Sequence, residues 1–74
     1  MSHKVSIVIE KDDFGYYAYC PALEGCQTHG DTFEEVMANI KEAIGLYLST
    51  LSDEEKRASL SKEILTTSLE VQLA

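Results

Sequence analysis

The stretch GDTFEEVMANIKEAIGLYLSTL, residues 30–51, decides the fold. Phe33, Val36, Met37, Ile40, Ile44, Tyr47, Leu48 and Leu51 recur at spacings of three and four, which puts them on one side of a helix of about five turns. Glu34, Ala38, Lys41, Glu42 and Ser49 take the other side. Thr32 is placed to cap the first turn. Glu35, three residues on, makes the pair a capping box worth about 1 kcal/mol. Asp31, Glu34 and Glu35 gather where the helix dipole favours negative charge. Gly45 falls mid-helix, where glycine costs about 1 kcal/mol relative to alanine. A helix with one apolar side needs a sheet face to cover it.

The residues before it supply that sheet. Residues 4–10 (KVSIVIE) alternate, with Val5, Ile7 and Ile9 on one side. This is the pattern of a half-buried strand. Asp12, Asp13, Phe14 and Gly15 read as a hairpin turn. Residues 16–20 (YYAYC) form a second strand, which Pro21 ends because it has no N–H to donate. Ala22 to Gly25 make a loop, and residues 26–30 (CQTHG) a short third strand. Gly15, Gly25 and Gly30 are read as turn positions that need positive φ. Beyond the long helix, Ser52 and Glu55 repeat the capping-box pattern, so a short helix is expected over 53–58. Residues 68–73 (SLEVQL) alternate again and read as a final strand, with Leu69, Val71 and Leu73 on one side. The expected fold is α+β: a three-stranded antiparallel meander, a long amphipathic helix, a short helix, and a last strand that completes a mixed sheet. All of residues 1–74 are read as a single domain.

Charge narrows the function. Thirteen acidic residues face six basic ones, for a formal net charge of −7. Nucleic acid is a polyanion, and the scattered Lys4, Lys11, Lys41, Lys56, Arg57 and Lys62 build no basic face for it. Direct DNA or RNA binding is therefore not expected. The same charge would attract a basic protein and speed its capture. No run approaches the roughly 18 apolar residues of a membrane span. Met1-Ser2-His3-Lys4 leads into a strand without a signal-peptide core, so the chain is read as cytoplasmic. A domain this short buries only about 60% of its unfolded surface. A homodimer or higher oligomer is the usual remedy, and an edge strand invites it.

The candidate catalytic and metal-binding sets in the sequence are each incomplete. His3, Cys20, Cys26 and His29 lack the paired spacing of structural zinc sites, and alternation sends Cys26 and His29 to opposite faces. Cys20 has no oriented base beside it. Glu10, Glu42 and Glu70 are the carboxylates a metal-dependent nuclease would need, but each lies on a polar face, away from the others. No cofactor is expected. Tyr17 and Tyr19 share one face of the second strand, opposite Tyr16, Ala18 and Cys20. On an exposed face they would anchor an interface, and under the helix they would be ordinary core.

The segment YYAYCPALEGCQTHGDTFEEVMANIKEAIGLYL, residues 16–48, resembles the N-terminal domain of HicB-type antitoxins. Tyr17 and Ala18 before Pro21, then Leu23, Gly25-Cys26, Thr28, Gly30-Asp31-Thr32, Glu35 and Glu42-Ala43 carry the likeness. The resemblance implies a truncated ribonuclease-H-like fold without its catalytic carboxylates. It also implies a partner, a small basic RNA-cleaving toxin of the HicA type, whose active surface is covered. Pro21, Gly25, Gly30 and Thr32 then look like turn and cap residues. Tyr17, Tyr19, Asp31, Glu34 and Glu35 are the expected partner contacts. Relatives often carry a C-terminal DNA-binding segment. Here 23 residues follow Leu51, and they are read as a helix and a strand, so no DNA-binding domain is expected. The alternatives are a self-assembling module without a toxin and a vestigial nuclease using Glu10, Glu42 and Glu70.

Overall fold

A computed structural model describes residues 4–73; His3, one of the candidate metal ligands, lies outside the described residues. The strands are β1 (Val8–Asp12), β2 (Gly15–Tyr19) and β3 (Gln27–Gly30). The helices are α1 (Phe33–Ser49) and α2 (Asp53–Leu60). The three strands form one antiparallel sheet in the order β1-β2-β3.

The first strand is displaced from its expected span. Asp12 pairs with Gly15, so the hairpin loop is only Asp13 and Phe14. The Asp12 carboxylate accepts the Phe14 N–H at 2.8 Å, and Gly15 takes the positive φ of +134°. A loop this tight carries the paired ladder as far as Asp12. At the other end, β2 stops at Tyr19, opposite Val8, so residues 4–7 have no strand to pair with. Val5 and Ile7 nevertheless pack against the core from that unpaired stretch.

The helix caps are unequal. At α1, the Thr32 hydroxyl accepts the Glu35 N–H at 3.1 Å, but no bond returns from the Glu35 carboxylate to the Thr32 backbone, so the expected capping box is half made. At α2 the box is complete: Ser52 accepts the Glu55 N–H at 3.1 Å, and Glu55 accepts the Ser52 N–H at 2.9 Å. The Ser52 backbone N–H first, and the Ser52 side chain second, hold the Glu55 carboxyl below its usual range. The short helix runs two residues past its expected end and buries none of its side chains.

Val36, Ile40 and Ile44 form the buried line of α1. They meet Ala18 and Cys20 of β2 and Cys26 before β3. The 20–26 loop is part of this core. Leu23 is 1% exposed, and the loop is closed by the bonds Leu23 N–H to Cys20 O, Cys26 N–H to Leu23 O and Cys20 N–H to Cys26 O, each 3.0 Å. Gly25, at φ +81°, makes the turn that Pro21 begins. Gly30 was expected to need positive φ and does not. It lies in β3, where α1 comes so close that a Cβ would stand 2.6 Å from the Val36 nitrogen. The reason for glycine there is space.

Gly45 has nothing within 4 Å of where a Cβ would stand. Gly45→Ala is therefore expected to raise the stability of the isolated chain by roughly 0.5–1 kcal/mol, read as an increased urea midpoint. Both cysteines are free, buried thiols. Burial first, and Cys20 beside it second, push the Cys26 thiol above its ordinary value. A raised folded value means this contribution to stability is full below the ordinary thiol pKa of about 8.5 and is lost as pH rises through the raised value. Urea midpoints should thus fall more steeply above that pH in the wild type than in Cys26→Ala.

The final strand expected at 68–73 is not formed. Among the described residues, 62–73 adopt no regular structure, and the sheet is antiparallel rather than mixed. Leu69, Val71 and Leu73 are 84%, 65% and 87% exposed.

Candidate functional site

Helix α1 covers one face of the sheet and leaves the other bare. On the bare face, two cross-strand rows stand side by side: Glu10, Tyr17 and His29, and Val8, Tyr19 and Gln27. Alternation along β2 sends Ala18 and Cys20 into the core and turns Tyr17 and Tyr19 outward. The rings of Tyr17 and Tyr19 lie 5.7 Å apart, and the His29 ring lies 5.6 Å from Tyr17 on its other side. The Tyr17 hydroxyl donates to Gln27 Oε1 at 2.7 Å. These contacts fix both tyrosines as a half-buried aromatic platform, and among the described residues no helix or strand lies over it.

The platform runs into a concavity of about 220 Å³ at the hairpin end of the sheet, lined by Asp12, Phe14, Tyr16, Tyr17, His29, Asp31 and Glu35 among others. Three of the five expected contact residues, Tyr17, Asp31 and Glu35, thus share one depression. Tyr19 lies next to it on the platform. Glu34 is exposed on the first turn of α1 but does not line the concavity. Glu35, whose carboxylate makes no bond back to the Thr32 backbone, is among the residues that line this space. On the covered face, Tyr16 meets Phe33 edge-on at 6.3 Å and receives Lys11 over its ring at 5.8 Å.

Phe14, 94% exposed at the hairpin tip, was missed in the sequence. So were Asp12, Gln27 and His29 as members of this surface. The signal for Phe14 was available: a large apolar residue in a two-residue turn has no core to reach. The signal for His29 and Gln27 was their alternation with Thr28, once β3 is known to pair with β2.

The remaining candidates do not converge. Glu10 is on the bare face, Glu42 on the exposed side of α1, and Glu70 in the exposed terminal segment. Among the described residues, no group of three or more His, Cys, Asp or Glu side chains could hold a metal ion. Cys26 and His29 lie on opposite faces of the sheet, one buried and one exposed. Also among the described residues, no helix is long and apolar enough to cross a membrane.

Residues 5–72 match the family described as "HicB_like antitoxin of bacterial toxin-antitoxin system". Curated relatives include a UPF0150 protein of Helicobacter pylori, 41% identical over 95% of this chain and 97% of its own. A UPF0150 protein of Synechocystis sp. is 47% identical over 73% of this chain and 70% of its own. One of Archaeoglobus fulgidus is 47% identical over 70% of this chain and 77% of its own. No solved structure matches.

Proposed function

Because this chain belongs to the HicB-like antitoxin family, we propose that it is the antitoxin of a toxin–antitoxin pair, acting in the cytoplasm by binding and not by catalysis. Its partner in this reading is a small, basic, RNA-cleaving toxin of the HicA type. The observation that carries the reading is the junction of the Tyr17–Tyr19 platform with the acidic concavity. Aromatic rings beside carboxylates suit the Lys and Arg side chains of a basic, RNA-binding surface. The rings receive the cation over their faces, and the carboxylates pair with it. Asp31 and Glu35 supply such carboxylates, and Glu34 adds charge at the rim. A toxin held there would have its RNA-binding cations occupied and RNA kept out. A net charge of −7 would steer the encounter.

The primary test is inhibition. Purified chain added to a HicA-type toxin from the same cell should stop RNA cleavage at a stoichiometric ratio. Undiminished cleavage at excess would refute the reading. A second test addresses the rim. Reversing charge with Glu34→Lys and Glu35→Lys together should slow association about tenfold at low salt, and the gap should close as salt rises. Association measured by surface plasmon resonance that is the same in both proteins at low salt would remove these two glutamates from the interface.

A further inference from the structure

Two features have no partner among the described residues, and they fit each other. The first is the edge of β1. The opposite edge, β3, is engaged by the helix: the Asn39 side chain donates to the His29 carbonyl at 2.8 Å. Among the described residues, no such bond reaches the outer edge of β1. Helix α1 packs over β2 and β3, so a trough remains between it and the β1 side of the sheet. The trough measures about 530 Å³ and is lined by Ile7, Met37, Ala38, Lys41 and Ile44.

The second feature is the segment 68–73. It has the alternation of a strand, with Leu69, Val71 and Leu73 on one side and Ser68, Glu70 and Gln72 on the other, yet among the described residues it pairs with nothing. Its three apolar side chains would span about 13 Å in an extended strand. Met37 to Ile44 span about 10 Å along α1. Laid along the edge of β1, the segment would put Leu69, Val71 and Leu73 into the trough and leave its polar side chains on the open face. The molecule is extended, 48 Å long against 28 and 19 Å across. Its radius of gyration is 14.4 Å, where a compact domain of this length has about 11 Å.

We propose that residues 68–73 of a second copy add as a strand to the edge of β1, and that two chains exchange these segments in a homodimer. The exchange removes the free edge of each sheet and buries apolar side chains that a single chain leaves in water. It concerns the face opposite Asn39 and does not depend on the toxin reading.

The test uses the full chain. Sedimentation should give a mass twice the 8.2 kDa of one copy. Leu69→Glu with Leu73→Glu should weaken association at least a hundredfold. Ala38→Arg, which fills the trough from an exposed helix position, should do the same. Both variants should keep their helical circular dichroism, because neither touches the core. In a dimer of one isotope-labelled and one unlabelled copy, filtered nuclear Overhauser effects should join Leu69 and Val71 of one chain to Ile7 and Ile44 of the other. A monomeric wild type at 200 µM (roughly a thousand times a tight dimer's dissociation constant) would overturn the proposal. So would a dimer that both variants leave intact, or effects found only within one chain.

Discussion

Gly30→Ala is expected to lower the free energy of unfolding by about 3 kcal/mol, the upper end of what overpacking costs. The added carbon would stand 2.6 Å from the Val36 nitrogen, 2.8 Å from its Cα and 3.0 Å from its Cβ. Two of these atoms are backbone, so no rotamer change can relieve the clash. Either β3 moves away from α1 or the helix shifts its second turn, and Val36 is wholly buried. Domains of this length hold only about 4–11 kcal/mol in total. With a urea slope of roughly 1 kcal/mol per molar, the midpoint should fall by about 3 M. Gly25→Ala is the control. Its φ is positive, but a Cβ there meets nothing within 4 Å. It should cost only the conformational penalty of about 1–2 kcal/mol. Equal midpoints for Gly30→Ala and wild type would show that the strand–helix contact is looser than described here.

If the chain binds a toxin as proposed, Tyr17→Ala should cost that complex about 2 kcal/mol or more, a loss of affinity of roughly thirtyfold, as for aromatic anchors at interface centres. Tyr17 sits between Tyr19 and His29 and opens onto the concavity, so its removal takes away the centre of the platform. Tyr17→Phe keeps the ring and loses only the bond to Gln27. It should cost about 1 kcal/mol or less. Tyr19→Ala should weaken binding too, and the double variant by less than the sum, because the rings pack on each other. Neither side chain belongs to the buried core, so the urea midpoint should move far less than the affinity. Calorimetric titration of the toxin with each variant reads the difference. Full affinity in Tyr17→Ala would place the toxin on another surface.

Much of this architecture could be read in the chain itself. Both helices are marked by caps and by the spacing of Val36, Ile40 and Ile44, because these signals are local. The sharing of one face by Tyr17 and Tyr19 is equally local. Which face the helix covers is a tertiary fact, and β2 alone does not reveal it. The paired span of β1 depends on a hairpin two residues long, so the alternation of Val5, Ile7 and Ile9 marks the right side of the strand but not its ladder. Leu23 looked like a loop residue because strand and helix periods say nothing of a turn that folds back into the core. Gly30 misled for a related reason. Glycine suggests an unusual φ, whereas here the neighbour across the space, Val36, decides. At 68–73 the alternation is that of a strand, but a strand forms only against a partner edge.

The exposed segment 62–73 also bears on how long the molecule persists. A protease needs an extended stretch of chain to begin on, and an exposed segment without regular structure offers one without any global unfolding. Here that handle is supplied ready-made, beyond a helix that buries none of its side chains. Resistance to degradation is then governed by whatever holds this segment, and the strength of the Val36–Ile40–Ile44 core contributes little to it. If two copies hold one another's segments as proposed above, a pair would outlast a lone copy, so the supply of this protein would answer to its own abundance.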